Sequence, residues 1–193
     1  MIRPVEPKKG LTFPFNREIE GRTITLKLMD GSEHDALTQF SAKLNDEDRL
    51  FMRMDLTKPE SIDEWMKNLT CERTRSVLVL EGDGVIGYAS LHQNKLLWTR
   101  HLGEIRLFIL PEYRQLGLGR LLAEVILGLA HDNDVQTVEV HIPRIQPDLQ
   151  RILQQMGFMP EALLANWLID PDGHTHDLVI MAYRFNEKVR AGD

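Results

Sequence analysis

One stretch constrains this chain more than any other. The run GEIRLFIL (103–110) alternates apolar and other residues as a strand does; PEYRQLGLGRLL (111–122) then turns on two glycines and opens an amphipathic helix. Strand, glycine loop and helix in that order aim several backbone N–H groups and the positive end of a helix dipole at one small volume. Such a volume suits an anion such as pyrophosphate. Gly117 and Gly119 leave the backbone open to a ligand and make positive φ available. Arg114 and Arg120 add positive charge at either end. The competing reading is an ordinary strand-to-helix turn with glycines for tight packing. No Gly-Lys-Ser/Thr follows, which excludes a Walker loop. The third glycine of a dinucleotide fingerprint is missing, and the motif lies far from the N-terminus. TVEVHI (137–142) alternates again beyond the helix, so it and GEIRLFIL are expected to be parallel neighbours, joined by one helical crossover and splaying apart near Ile109.

The flanking segments supply the rest of a layered domain. TITLKLM (23–29) alternates as a strand, with Ile24, Leu26 and Leu28 on one face. Asp30-Gly31-Ser32 brings turn and cap chemistry before a helix with Leu37, Phe40 and Leu44 at helical spacing. Residues 45–61 read as loop plus a helical turn. Ser61 is placed to cap a second helix, with Glu64 completing a capping box and Ile62, Trp65, Met66 and Leu69 inward. VLVL (77–80) and VIGYASL (85–91) form a hairpin about Gly82-Asp83-Gly84. A last helix, PDLQRILQQMGF (147–158), turns Leu149, Ile152, Leu153 and Met156 inward, with Gly157 as its C-cap. ALLANWLI (162–169) and HDLVIMAYRF (176–185) are strands about the turn Asp170-Pro171-Asp172-Gly173.

At 193 residues the chain has room for one domain with a full core. The expected division is an N-terminal arm over 1–20, a domain over 21–186 and a tail over 187–193. A net charge of −6 argues against a nucleic-acid partner, whose recognition needs a basic face, but leaves room for a local basic pocket. Cys71 is the single cysteine, so no intramolecular disulfide forms, and it is read as structural. LLAEVILGLA (121–130) is too short to span a bilayer and carries Glu124. MIRPVEPKKG has no apolar leader core. A cytoplasmic location without a membrane partner is the expectation.

The pattern Arg114-x-x-Gly117-x-Gly119 resembles the acetyl-CoA signature of the GNAT superfamily of N-acetyltransferases, and the order of elements over about 22–185 resembles its fold. DRLFMRMDLTKPE and DPDGHTHDLVIM look like a bacterial subgroup of that family. The resemblance implies an α+β fold: a mixed, mostly antiparallel sheet of about six or seven strands with a central parallel splayed pair, flanked by about four helices. It implies transfer of an acetyl group from acetyl-CoA to a primary amine, on a small molecule or a protein, by direct transfer in a ternary complex. The alternative is a non-catalytic acyl-CoA-binding module. A homodimer is compatible with either, and no metal is expected.

The resemblance also implies site residues. Leu107, Phe108 and Ile109 fall where backbone groups bind pantetheine and stabilise the thioester oxygen. Arg114, Gln115, Leu116, Gly117, Leu118, Gly119 and Arg120 would wrap the pyrophosphate. A lysine-type amine, with pKa about 10.4, must lose a proton before it attacks. Glu104 is the candidate base; alternation sets it on one face with Arg106 and Phe108, one residue short of the best-known family spacing. Its competing role is an edge-facing ion pair with Arg106 or another cation. Gln146 stands where the family often has an Asn contacting the pantetheine arm. Leu153 stands where many members have a Tyr that protonates the leaving thiolate, so Tyr88 or water must do so, or no acid is needed. His174, His176 and Asp177 are nominal metal ligands read as turn residues. His101 and His141 are read as structural, and Trp65, Trp98 and Trp167 as core rather than acceptor-pocket residues.

Overall fold

The computed structural model describes residues 5–45, 49, 52, 54–70, 73–94, 96–170 and 172–185. The tail at 187–193, Cys71 and most of the segment around 46–53 lie outside them. Among the described residues, eight strands form one sheet in the order β1-β2-β3-β4-β5-β6-β8-β7. They are β1 (Phe15–Ile19), β2 (Arg22–Leu28), β3 (Thr74–Glu81), β4 (Gly84–Gln93), β5 (Leu102–Ile109), β6 (Thr137–Pro143), β7 (Met159–Ile169) and β8 (Thr175–Arg184). The helices are α1 (His34–Ser41), α2 (Pro59–Thr70), α3 (Leu118–Asp132) and α4 (Pro147–Met156). All pairings are antiparallel except β5 with β6, which the helical crossover through α3 makes parallel.

The sheet has more strands than the six or seven expected. The extra one is β1, which lies in the segment read as an arm. Glu20 (φ 50°) and Gly21 (φ 76°) make a two-residue turn that folds Phe15–Ile19 back on β2, with Ile19 opposite Arg22. Positive φ at both turn positions matches the twist of a hairpin. Only residues 5–12 behave as a strap. The Val5 N–H donates to Met156 O at 3.0 Å and the Lys8 N–H to Glu124 O at 2.9 Å.

Two other expectations are corrected. Helix α2 begins at Pro59, where a missing N–H costs nothing, so Ser61 lies inside the first turn instead of capping it. In α4 only Leu153 is buried; Leu149 and Ile152 are exposed, on the face this short helix turns away from the core.

The two faces carry different work. Tyr88 on β4 and Phe108 on β5 are register partners, and their rings pack against Phe40 of α1 at 6.0 and 5.8 Å, with Trp65 of α2 at 4.8 Å from Tyr88. Helices α1 and α2 therefore cover that face. Helix α3 covers the other, where Gly119 faces Ile109 and buried Leu122, Val125 and Ile126 fill the core.

Candidate functional site

β5 and β6 run side by side for three residue pairs, Leu102 with Thr137, Gly103 with Val138 and Glu104 with Glu139, and then part. The splay thus opens just beyond Glu104, five residues before the expected Ile109. From 105 to 109 alternate backbone N–H and C=O groups of β5 face the gap. That places Leu107, Phe108 and Ile109 along an open strand edge. Leu107, apolar yet 38% exposed, lies on it.

The glycine loop crosses the carboxyl ends of the same two strands, the end at which open α/β sheets gather ligands. Gly117 is the N-cap of α3 with φ 79° and has no side chain to cap the helix. The Leu121 N–H is the one that closes onto Gly117 O, at 3.1 Å. The amides of Leu118, Gly119 and Arg120 precede it in the first turn, where helical geometry supplies no acceptor. Gln115 also has positive φ, 67°. Left-handed residues in such turns build backbone nests that take anions. A Cβ at Gly117 would meet nothing within 4 Å, so its glycine answers to φ alone. Gly119 does not use positive φ, and a Cβ there would meet only Ile109 Cδ1 at 3.7 Å. Positive φ therefore accounts for Gly117, and tight packing within the protein does not account for Gly119.

The two arginines are engaged inside the chain. Arg114 Nε donates to Ile109 O at 3.0 Å and its guanidinium lies 5.5 Å from the Phe108 ring centre. Arg120 pairs with Glu124 at 3.2 Å, and the same carboxylate takes Lys8 at 2.9 Å. Each guanidinium is thus held within the chain through its Nε, beside the first-turn amides of α3. Gln146, half-buried, caps α4 at the carboxyl end of β6, across the gap from the loop.

Glu104 and Arg106 lie on one face of β5, with Arg106 Nε donating to Glu104 Oε1 at 2.9 Å. The β4–β5 register runs unbroken from Gly87–Ile109 to Gln93–Gly103, so no bulge alters the spacing of Glu104. His92 stands opposite Glu104 and Ser90 opposite Arg106. His92 is held by hydroxyls at both ring nitrogens, Thr74 Oγ1 on Nδ1 and Ser90 Oγ on Nε2, each at 2.9 Å. Trp65 Nε1 donates to Ser76 Oγ at 2.9 Å. Trp65, Thr74, His92 and Arg106 line a cavity of about 410 Å³ together with Met54, Glu64 and Asn68. Alternation in VIGYASLHQ already puts Tyr88, Ser90 and His92 on one face. That His92 meets Thr74 depends on the β3–β4 register.

Trp65 alone of the three tryptophans is core, 3% exposed, and it also lines this cavity; Trp98 and Trp167 are 84% and 66% exposed, against expectation. Both sit where little packs on them, in a β4–β5 loop and on edge strand β7. His174 and His176 turn to Asp170, at 3.5 and 2.8 Å, while Asp177 is held by Arg144 at 2.9 Å. The three nominal ligands therefore do not converge.

The model of the acetyltransferase (GNAT) family matches residues 40–158. No curated protein matches the sequence. Among solved structures, a GNAT-family acetyltransferase from Streptococcus pneumoniae is similar with TM-score 0.72 and 16% identity, covering 84% of this chain and 99% of that one. A ribosomal-protein-alanine N-acetyltransferase from Brucella melitensis gives 0.71 and 18%, over 83% and 99%. Salmonella typhimurium yncA, solved with its cofactor acetyl-CoA, gives 0.70 and 18%, over 88% and 98%.

Proposed function

The chain belongs to the GNAT family of acetyltransferases, and from that premise we propose that it moves an acetyl group from acetyl-CoA to a primary amine by direct transfer in a ternary complex. One observation carries the reading: β5 and β6 part beyond Glu104, and the gap leads to an uncapped helix N-terminus at Gly117. The 107–109 edge offers N–H groups to the pantetheine arm and the thioester oxygen. The loop from Arg114 to Arg120 receives the pyrophosphate, and Gln146 reaches the arm from the other side. The acetyl-CoA bound to yncA supports the choice of donor.

Glu104 takes the proton that the acceptor ammonium must lose, directly or through one water. The amine nitrogen then forms a bond to the thioester carbon, the C–S bond breaks, and CoA leaves as a thiolate. Burial pushes the Tyr88 phenol up to about 12. Burial makes that phenol a poorer proton source than an ordinary tyrosine, so in this reading solvent protonates the leaving thiolate. Arg106 holds the Glu104 carboxylate in place beside the gap until the acceptor enters.

The test is release of free CoA thiol from acetyl-CoA, stimulated by added amines, together with calorimetry of acetyl-CoA binding. Gly117→Glu puts bulk and negative charge where phosphates sit, and should abolish both binding and release in a folded protein. Unchanged affinity in that variant would refute the loop assignment. Tight binding with no amine-stimulated release would favour the non-catalytic module.

A further inference from the structure

The cavity beside Glu104 is not neutral ground for any amine. Arg106 lies on its wall, and so on the wall of the adjoining recess lined by Met54, Leu56, Trp65, Tyr88 and Ser90. Its Nε is committed to Glu104 at 2.9 Å. Among the described residues no other ion pair of Arg106 is formed, and its side chain is 28% exposed. A guanidinium is a planar fork, and with Nε engaged its Nη edge remains to receive a second planar anion.

We propose that the acceptor is a free α-amino acid with a neutral, apolar side chain. The proposal rests on the acetyl-transfer reading above. Glu104 and Arg106 present a negative and a positive group side by side on one strand face. An α-amino acid carries the inverse pair, an ammonium and a carboxylate separated by one carbon. Its carboxylate lies on the Arg106 fork and its nitrogen beside Glu104, next to the strand gap where the thioester is placed. Its side chain lies in the larger cavity against Met54 and Trp65, since the adjoining recess has room for little more than a water. The cavity of about 410 Å³ holds a molecule of that size. A polyamine would bring a second cation against Arg106. An acidic side chain would meet Glu64, the other charged group of the lining.

The experiment is calorimetry on the CoA-saturated protein with three probes, L-leucine, L-leucinamide and 3-methylbutylamine, run on the wild type, Arg106→Gln and Arg106→Lys. An ion pair that only the carboxylate can form with the guanidinium should make L-leucine bind about tenfold or more tighter than either other probe. Arg106→Gln should erase that ratio while CoA affinity stays unchanged, and Arg106→Lys should restore part of it. L-aspartate should bind more weakly than L-leucine. If the wild type binds 3-methylbutylamine as well as L-leucine, or if the ratio survives in Arg106→Gln, the proposal is overturned; the wild-type ratio alone decides this even if a variant misfolds. Carboxylate-selective, Arg106-dependent binding without thiol release would uphold the pocket and count against acetyl transfer.

Discussion

Among the described residues, Glu104 has a neighbour that can hold it inert and an opening that can make it useful. The Arg106 hydrogen bond at 2.9 Å serves the first role, and the strand gap beginning at the next residue serves the second. Glu104→Gln keeps shape and hydrogen bonding but removes the charge. We expect kcat/KM at neutral pH to fall about 10²–10⁴-fold, less at high pH where more acceptor is already deprotonated, with acetyl-CoA affinity unchanged. Superimposable pH–rate profiles of variant and wild type would make the residue structural. Tyr88 is a contrasting case. Its phenol, pushed up to about 12 by burial, keeps its proton throughout the working range, and its ring packs on Trp65 and Phe40. Tyr88→Phe should retain kcat within a few-fold, roughly, since no step uses its proton. A hundredfold loss in steady-state kcat with unchanged Tm would make Tyr88 the acid after all.

Among the elements, α3 is the one on which the others converge. Its first turn faces the glycine loop, and its body is crossed by the strap at residues 5–10. The strap passes so close that a Cβ on Gly128 would fall 1.8 Å from the Lys8 carbonyl oxygen, a backbone atom that cannot yield without moving the strap. The strap also buries Val5, 1% exposed, and delivers Lys8 to the carboxylate that Arg120 uses. Gly128→Ala should therefore lift the strap off the helix. The net loss should be about 0.5–2 kcal/mol, since one buried valine is worth about 1.5–3 kcal/mol and Ala itself favours helix by about 1 kcal/mol. Urea unfolding gives the stability, and hydrogen exchange at 5–10 gives the site. Unchanged protection there would contradict the close approach.

For the molecule as a whole, several carboxylates are held ionised by folded-state partners. The hydroxyl and N–H of Ser32 hold Asp30 down to about 2 from its usual value of 3.8. Thr57 lowers Asp55, His176 lowers Asp170 and the Asn166 N–H lowers Asp177. A lowered folded pKa means that the unfolded chain binds protons first on acidification. The stabilisation is then complete above about pH 4 and is lost as pH falls toward about 2. Urea midpoints should stay flat between about pH 7 and 5 and drop below about pH 4. A midpoint that rises on acidification would show that these partners do not operate in solution.

What the sequence determined by itself was local. Alternation and turn residues marked β2 to β8, helical spacing marked α1 to α4, and the two glycines marked the loop, because each of these is set by a residue and its near neighbours along the chain. The Gln115–Gly117 turn and the α3 start fall where the glycines placed them. Tertiary structure alone decided where β5 leaves β6, since a gap between strands is a property of pairing, and pairing is chosen by the whole sheet. It also decided that His92 meets Thr74 across two strands, and that Trp98 is exposed while Trp65 is buried. Period-two alternation tells which face a side chain takes; only register and the helices packed on that face tell what waits there.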